Sequence, residues 1–289
     1  MTDGDLYGVE VSNTYATYRM DPEFARLVMS KMVFSLPMYH AVPSNNSTNG
    51  CVKNVCSEPI ANDFLIRGAS YMENSEKVAS REAVFSILGA NNILNRKVET
   101  ICHTRSGPDD FVKRFRLTCS QAGVQTPFIL IINFIVPWGN FSSYYYRPDG
   151  TNGGAFAESE SNQPSEKLWR AFITGDDEFR NSKLKLIPNI VVGPWVLKKM
   201  VGPKPGMIGQ KLPVSYTGSS QDGYFQINMD ITRGGKVANS ICAACANKAS
   251  LIAVDLAFLL QGDSVQELPE QLLAVVRLHH IQLKKGSFQ

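Results

Sequence analysis

A run of cations with no acid among them is the chemical feature that stands out in this sequence. Between Arg180 and Gln221 there are seven basic residues and no Asp or Glu, whereas the net charge of the whole chain is only +3. The rest of the chain is therefore net acidic, and the basic segment predicts a surface that attracts lipid headgroups, phosphates or nucleic acid. The alternative is a solvated sheet face whose acidic partners come from elsewhere in the chain.

Lysines and leucines alternate in this segment, in the order Lys183, Leu184, Lys185, Leu186. On a strand, such alternation places both lysines on one face and both leucines in the core. A tryptophan and two methionines follow, and amphipathic side chains beside cations are typical of proteins that dock at a bilayer interface. The alternative for Trp195 is a packed position in the core. The residues predicted to contact a membrane are Lys183, Lys185, Trp195, Lys198, Lys199 and Lys204.

Two polar residues interrupt otherwise apolar runs. Asp255 lies within residues 251–260, and Asn133 lies within residues 128–136. An ionised carboxylate in such a run needs a cationic or hydrogen-bonding partner. Each residue either fixes strand register through an internal hydrogen bond or anchors the polar end of a ligand in a cavity, and both alternatives stay open. The candidate cationic partners of Asp255 are Arg67, Lys77, Arg180 and Arg277.

No motif for catalysis or metal binding is present in the sequence. The chain has no H-E-x-x-H, P-loop or nucleophile-elbow pattern, and its four histidines are scattered. Cys242 and Cys245 have C-x-x-C spacing, but they lie in an Ala-rich helical stretch, which predicts buried helix cysteines rather than a redox site. We predict no enzyme activity, no metal and no cofactor beyond a bound hydrophobic ligand. An active site assembled from distant residues is a third class that the sequence leaves open.

Nucleic acid is not predicted as a partner, because the net charge is modest and no recognition motif is present. The N terminus has no apolar signal segment. The longest apolar runs have about ten residues and are too short to cross a bilayer. We therefore expect a cytoplasmic protein that associates peripherally with membranes.

Strands and helices are predicted in mixed order along the chain. The hydrophobic pattern favours strands at residues 64–68, 83–88, 128–136, 224–231, 251–260 and 272–283. Helices are predicted at residues 108–123, 165–172 and 236–249. The order favours an α+β fold, with a curved, mainly antiparallel sheet packed against one long helix and shorter helices, as in helix-grip proteins. Residues 1–59 are predicted to form an N-terminal extension with a flexible loop, and residues 60–289 the domain.

A series of short motifs in the second half of the chain carries a resemblance to a known family. In order, these are Phe179-Arg180-Asn181, Lys185-Leu186-Ile187-Pro188, Val192-Gly193-Pro194-Trp195, Lys204-Pro205, Ile208-Gly209, the strand from Tyr224 to Ile231, Val254 to Phe258, and Glu267-Leu268-Pro269-Glu270. Together they resemble the C-terminal domain of the plant Enhanced Disease Resistance 2 protein and its stand-alone protist relatives, over roughly residues 60–283. The chain departs from the pattern at Gln226 and Gln261, where we expect Glu.

The resemblance implies a membrane-associated, lipid-related role without enzyme activity, because in the plant proteins this domain follows a pleckstrin-homology domain and a lipid-binding START domain. We therefore predict that the domain encloses a hydrophobic ligand in an internal cavity and docks on anionic membrane. A lipid is expected, with a sterol or a carotenoid as other candidates. The alternative is a membrane- or protein-binding scaffold without an internal ligand. The predicted ligand-binding residues are Asn133, Arg180, Phe225, Ile227, Met229 and Asp255.

Overall fold

The computed structural model describes residues 55–94, 111–148 and 163–283. Positions 1–54 of the predicted N-terminal extension lie outside these residues. The described chain forms two five-stranded sheets, a two-stranded hairpin and several helices. The predicted α+β class with curved, mainly antiparallel sheets is confirmed.

Sheet 1 is antiparallel throughout. Its strand order is β1-β12-β11-β7-β8. These strands are β1 (Val55–Ser57), β7 (Leu184–Val192), β8 (Gly206–Met207), β11 (Ala253–Leu260) and β12 (Leu272–His279).

Sheet 2 contains a parallel pair between its strands β5 and β10, and its other pairs are antiparallel. Its strand order is β4-β6-β5-β10-β9. These strands are β4 (Ser86–Leu94), β5 (Ile129–Val136), β6 (Gly139–Tyr146), β9 (Val214–Ser219) and β10 (Tyr224–Asp230).

Short helices and a hairpin complete the described fold. The hairpin pairs β2 (Leu65–Arg67) with β3 (Lys77–Ala79). The helices are α1 (Tyr71–Asn74), α2 (Phe111–Gln121), α3 (Pro164–Thr174), α4 (Asp177–Lys183), α5 (Trp195–Met200), α6 (Ile208–Lys211) and α7 (Lys236–Asn247). Three short 3-10 helices are at Ala61–Asp63, Ala249–Leu251 and Val265–Glu267.

The main hydrophobic core lies between the inner faces of the two sheets. Phe134 of sheet 2 and Phe258 of sheet 1 meet there, with their ring centroids 6.0 Å apart. Helix α3 closes one end of this space with Trp169, which is fully buried and packs edge-on against Phe128 and Phe225. Because strand side chains alternate, the second face of each sheet needs its own cover.

Separate elements cover the two outer faces. On sheet 2, helix α2 stacks Phe111 on Tyr144 with a centroid distance of 3.9 Å. On sheet 1, the β2–β3 hairpin and the segment before it bury Phe64 and Ile66 against Ile187. A fourth, smaller cluster of Ile190, Leu197, Val201 and Ile252 joins β7 to α5. The described residues thus form four buried clusters, and a functional site is expected where the packing between them is incomplete.

Candidate functional site

The packing between the two sheets is incomplete at the end remote from α3. An apolar cleft of about 450 Å³ opens there. Helix α3 packs near the start of β5, whereas the cleft begins at Phe134 and Val136 near the end of that strand. Sheet 1 contributes Leu186, Leu256 and Leu278 to the opposite wall. The volume falls within the range of about 300–1,000 Å³ that is typical of small-molecule sites.

Helix α7 forms the roof of the cleft. Its lining residues recur at helical spacing and include Ala238, Ile241, Cys242, Cys245 and Ala246. None of the residues of α7 is buried, although this face is apolar. A helix that packed fully into a core would bury such a stripe. The stripe of α7 is only partly buried against the neighbouring core residues and leaves the rest of its surface to the cleft.

Charge at the cleft has one sign. Among the described residues that line it, the charged ones are Lys204 and Lys211, and no carboxylate is present. Asn92 adds a buried amide on the wall formed by β4. This combination can hold an apolar chain inside and an anionic or hydrogen-bonding group at the lysines.

The two cysteines of the cleft are neutral thiols at physiological pH. Burial, followed by the neighbouring Cys245, raises the pKa of Cys242 to about 11. Burial also raises the pKa of Cys245. Both residues lie on a helix as predicted but are only half-buried, because they pack against core residues on one side and line the cleft on the other. As protonated thiols they act as small apolar liners.

The predicted strand residues Phe225, Ile227 and Met229 lie outside the cleft. They are on the inner face of sheet 2 but are completely buried in the main core, at most 1% exposed. Helix α3 covers Phe225, whose ring lies 5.9 Å from that of Phe172. Met229 is the register partner of Phe134, at which the cleft begins, but its side chain is fully buried and does not line the cleft, so all three side chains are core residues.

Asn133 also lies outside the cleft, on the outer face of sheet 2. Its side-chain amide donates to the side-chain oxygens of Asn228 (3.1 Å) and Asn140 (3.3 Å) and accepts from Ser142 Oγ at 2.8 Å. Ser142 and Asn228 are its register partners on the two neighbouring strands. Asn133 therefore makes internal hydrogen bonds between strands, which was one of the two alternatives that the sequence left open for it.

Asp255 also points away from the cleft, because it too lies on the outer face of its sheet. It lies on the outer face of sheet 1, whereas its neighbours Val254 and Leu256 line the cleft. Arg277, directly opposite on β12, donates from Nε and Nη2 to the two carboxylate oxygens at 2.6 and 2.8 Å. These hydrogen bonds to Asp255 raise the pKa of Arg277. Of the four candidate partners, Arg277 is therefore the one that the fold supplies.

Arg180 stabilises the packing of α4 on the core. Its guanidinium lies 5.2 Å from the ring centroids of both Tyr216 and Phe225. It also donates to the carbonyls of Phe172 and Ile173 in the last turn of α3, at 3.0 and 2.6 Å. Arg180 is not among the residues that line the cleft.

Lys183 and Lys185 do not form an exposed ridge, which corrects the sequence-based expectation. Lys183 is the last residue of α4 and Lys185 lies on β7, and both are buried. The ammonium of Lys183 lies 3.0 Å from Asp263 and 2.9 Å from Glu267, and that of Lys185 is paired with Glu270. The acidic partners come from beyond the basic segment, which is the alternative that the sequence left open.

The remaining predicted membrane residues lie on or near α5 and are exposed. Trp195 is 72% exposed, so its alternative placement in the core is wrong. Lys198 donates to the carbonyl of Val191 at 2.7 Å, while Lys199 and Lys204 are open to solvent. Since Gly193 adopts φ +145°, the chain can turn sharply from β7 into α5 and present these side chains outward.

Reasoning from the sequence missed the face of α7 as a lining surface. The signal was present, because Ala238, Ile241, Cys242 and Cys245 recur at i, i+3, i+4 and i+7.

In the described residues no group of three or more His, Cys, Asp or Glu side chains is arranged to hold a metal ion. Those residues also include no helix that is long and apolar enough to cross a membrane.

Comparison with known proteins supports the resemblance seen in the sequence motifs. Residues 56–282 match the family described as "Protein ENHANCED DISEASE RESISTANCE 2, C-terminal". A protein of Arabidopsis thaliana, described as "Protein ENHANCED DISEASE RESISTANCE 2-like", is 28% identical over 226 residues. The match covers 78% of this chain and 28% of that relative, so the chain spans less than a third of the relative's length. No solved structure matches the chain.

Proposed function

The chain belongs to the Enhanced Disease Resistance 2 C-terminal family, and from that premise we propose that it binds a hydrophobic ligand in the cleft beneath α7. The ligand class is a lipid with a polar end, and a sterol or carotenoid would use the same apolar walls. No catalytic step is part of this proposal. Binding by enclosure requires only shape, apolar surface and a few polar contacts.

The observation that carries the proposal is the apolar face of α7, which is only partly packed against the core and borders the cleft. Both sheets and this helix present aliphatic and aromatic side chains to about 450 Å³ of space that no described side chain fills. Unfilled apolar volume costs stability, because its lining atoms lose contacts that a packed core would supply. A ligand that occupies the cleft would restore those contacts and gain about 0.8 kcal/mol for each buried methylene.

The lysines of the cleft favour an amphiphile with an acidic end. Lys204 and Lys211 belong to the segment that joins α5 to β9, and both line the cleft without a lining carboxylate. A carboxylate or phosphate at this position would form charge-assisted hydrogen bonds, which are stronger than those between neutral groups. We therefore propose that the ligand's head lies at these lysines and its apolar part extends toward Phe134 and Leu256.

We further propose that the exposed face of α5 docks the protein on anionic membrane. Trp195 and Val196 project into solvent beside Lys199, which is the pairing of apolar and cationic side chains that bilayer interfaces favour. Met200 is 45% exposed and also lines the cleft, so α5 connects the proposed docking surface with the cleft mouth. A ligand could then pass between bilayer and cleft along one helix.

Native mass spectrometry of the purified chain tests the proposal. After exposure to a mixed lipid extract, we expect a bound species near one per chain, which organic extraction and an absorbance scan then assign to a lipid, sterol or carotenoid. A mass that stays ligand-free would contradict enclosure and would favour the alternative of a scaffold that acts through its surface. Detergent is omitted throughout, because it would compete for an apolar site.

A further inference from the structure

A second and more polar pocket lies on the other side of β7, on the outer face of sheet 1 beside the β2–β3 hairpin. It encloses about 250 Å³, and its lining includes Arg67, Lys77, Lys185 and a single acid, Glu270. Lys185 precedes Leu186 on β7, and consecutive strand residues face opposite sides. The strand therefore separates this pocket from the cleft, although Pro205 at the edge of the sheet lines both.

The ammonium of Lys185 has unused hydrogen-bonding capacity. Its side chain is only 5% exposed, and among the described residues its hydrogen-bond acceptor is the carboxylate of Glu270. An ammonium carries three N–H donors, so two of them remain to be satisfied from the pocket. Burying donors without acceptors is costly, which makes this group a strong anchor for an oxygen-rich ligand.

Glu270 forms the floor of the pocket and is already satisfied. Its side chain is 0% exposed. One carboxylate oxygen accepts from Lys185 and from the backbone N–H of Gly262 at 3.1 Å, and the other accepts from the backbone N–H of Arg67 at 3.1 Å. The negative charge is thus held by the protein, which lowers its repulsion of an arriving anion.

Arg67 is held at the pocket by contacts that leave part of its guanidinium available. The group lies 4.7 Å from the ring centroid of Tyr71, and Nη1 donates to the carbonyl of Gly262 at 2.6 Å. Nη1 is also 3.5 Å from a carboxylate oxygen of Asp263, whose side chain is 46% exposed and is shared with Lys183. No described residue accepts from Nη2 of Arg67.

The charge around the pocket is not balanced. Among the described residues, the cations Arg67, Lys77, Lys183 and Lys185 meet three carboxylates, those of Asp263, Glu267 and Glu270. Lys77 is the exposed cation for which the described residues supply no ion pair. Burial, together with repulsion from Arg67 and Lys77, lowers the pKa of Lys185 against the opposing effect of Glu270. A bound anion would relieve that repulsion.

We propose that this pocket binds a phosphoryl group, held by Lys185, Lys77 and Arg67. Phosphate oxygens match the planar fork of a guanidinium, and ammonium groups add point charges with freely oriented donors. The phosphoryl group belongs either to a free phosphate monoester or to the headgroup of a phospholipid. Because β7 separates the pocket from the cleft, the inference does not depend on the proposed hydrophobic ligand.

Calorimetric titration with two probes tests the inference and distinguishes the sources. The probes are glycerol 3-phosphate and water-soluble dibutyryl phosphatidic acid. Equal affinities indicate a free phosphate monoester. Tighter binding of the phosphatidic acid indicates a headgroup in this pocket if Lys77→Ala weakens it, whereas tighter binding that Lys77→Ala leaves unchanged belongs to the cleft and overturns the inference for a lipid. In either case Lys77→Ala is expected to weaken binding about tenfold, as the loss of one charge-assisted hydrogen bond predicts. The change is at an exposed side chain, so the fold should be retained.

The matched control is Lys248→Ala, an exposed lysine at the end of α7 near the opposite end of β7. It should leave both titrations unchanged. The double variant Lys185→Met/Glu270→Gln removes the buried charges together and should abolish binding. The inference is overturned if neither probe binds at millimolar concentration, or if Lys77→Ala and Lys248→Ala weaken binding equally.

Discussion

Asp255 and Arg277 face each other across β11 and β12 and are joined by two hydrogen bonds of 2.6 and 2.8 Å. The carboxylate is buried on the outer face of sheet 1, while the next residue, Leu256, lines the cleft on the inner face. A single strand thus carries a structural ion pair on one side and a proposed ligand wall on the other. The two roles can be separated by mutation.

Removing one partner of this pair should destabilise the fold. In Arg277→Ala, Asp255 keeps a buried charge without a cation, and the free energy of unfolding should fall by about 3–5 kcal/mol. The double variant Asp255→Leu/Arg277→Met should recover most of that loss, since apolar pairs often replace buried ion pairs at little cost. Urea denaturation measures both. A stable double variant that binds no hydrophobic ligand would contradict the structural role of Asp255.

Affinity should depend on the length of an apolar chain. In a titration with saturated fatty acids of increasing length, each methylene that enters the cleft should strengthen binding about fourfold, since its burial contributes about 0.8 kcal/mol. The increase should stop once about 450 Å³ is filled. Ala238→Trp, which occupies part of the cleft, should move that limit to shorter chains. An affinity that does not vary with chain length would count against enclosure.

The alkylation rate of the thiols on α7 should depend on pH and on whether a ligand occupies the cleft. Cys242 reacts with iodoacetamide as the thiolate, and its pKa is raised to about 11. Its alkylation rate should therefore rise about tenfold per pH unit and continue to rise beyond pH 9, where an unperturbed thiol levels off. Peptide mass spectrometry follows the modified residue. A bound ligand should slow the reaction, and a plateau near pH 9 would show that Cys242 is not shielded.

Membrane docking should depend on α5 rather than on the buried lysines. Each basic residue near an anionic surface contributes about 1 kcal/mol, so Lys199→Glu should weaken co-sedimentation with phosphatidylserine vesicles at least about fivefold. Trp195→Ala should weaken it on neutral vesicles too. Raising the salt concentration should reduce the effect of Lys199, because the Debye length is about 8 Å at physiological ionic strength.

The control for docking is Lys167→Glu on α3. This lysine is exposed but lies on the helix that closes the opposite end of the inter-sheet space. Its reversal changes the net charge by the same amount, so equal losses for the two variants would mean that docking follows total charge and has no defined surface.

Two strands could be predicted accurately because their local hydrophobic pattern determines them. Residues 128–136 and 224–231 correspond closely to β5 and β10, where apolar runs or strict alternation set the period. Strand β6 could not be recognised, because its polar and aromatic residues do not alternate. All eight of its residues are buried, since it lies between β4 and β5 with both faces covered. Tertiary packing, which the sequence does not display, makes it a strand.

The candidate site was harder to predict than the fold. The sequence indicated that Lys183 and Lys185 share a face, but not that Asp263, Glu267 and Glu270 would reach them from a distant loop. Likewise, apolar strand positions look the same whether a helix packs on them or a cleft remains. Only the placement of α3 at one end and α7 at the other decides which are core and which line a site.

Ligand occupancy in two neighbouring tryptophan variants tests the central claim most directly. Ala238 lines the cleft, whereas Val237, the preceding residue of α7, is 74% exposed. Both variants should fold, as circular dichroism and thermal melting would verify, and both add the same side chain to the same helix. After exposure to a lipid extract, native mass spectrometry should show a bound lipid in Val237→Trp, and lower occupancy confined to shorter chains in Ala238→Trp. Equal occupancy in the two folded variants would contradict binding in the cleft.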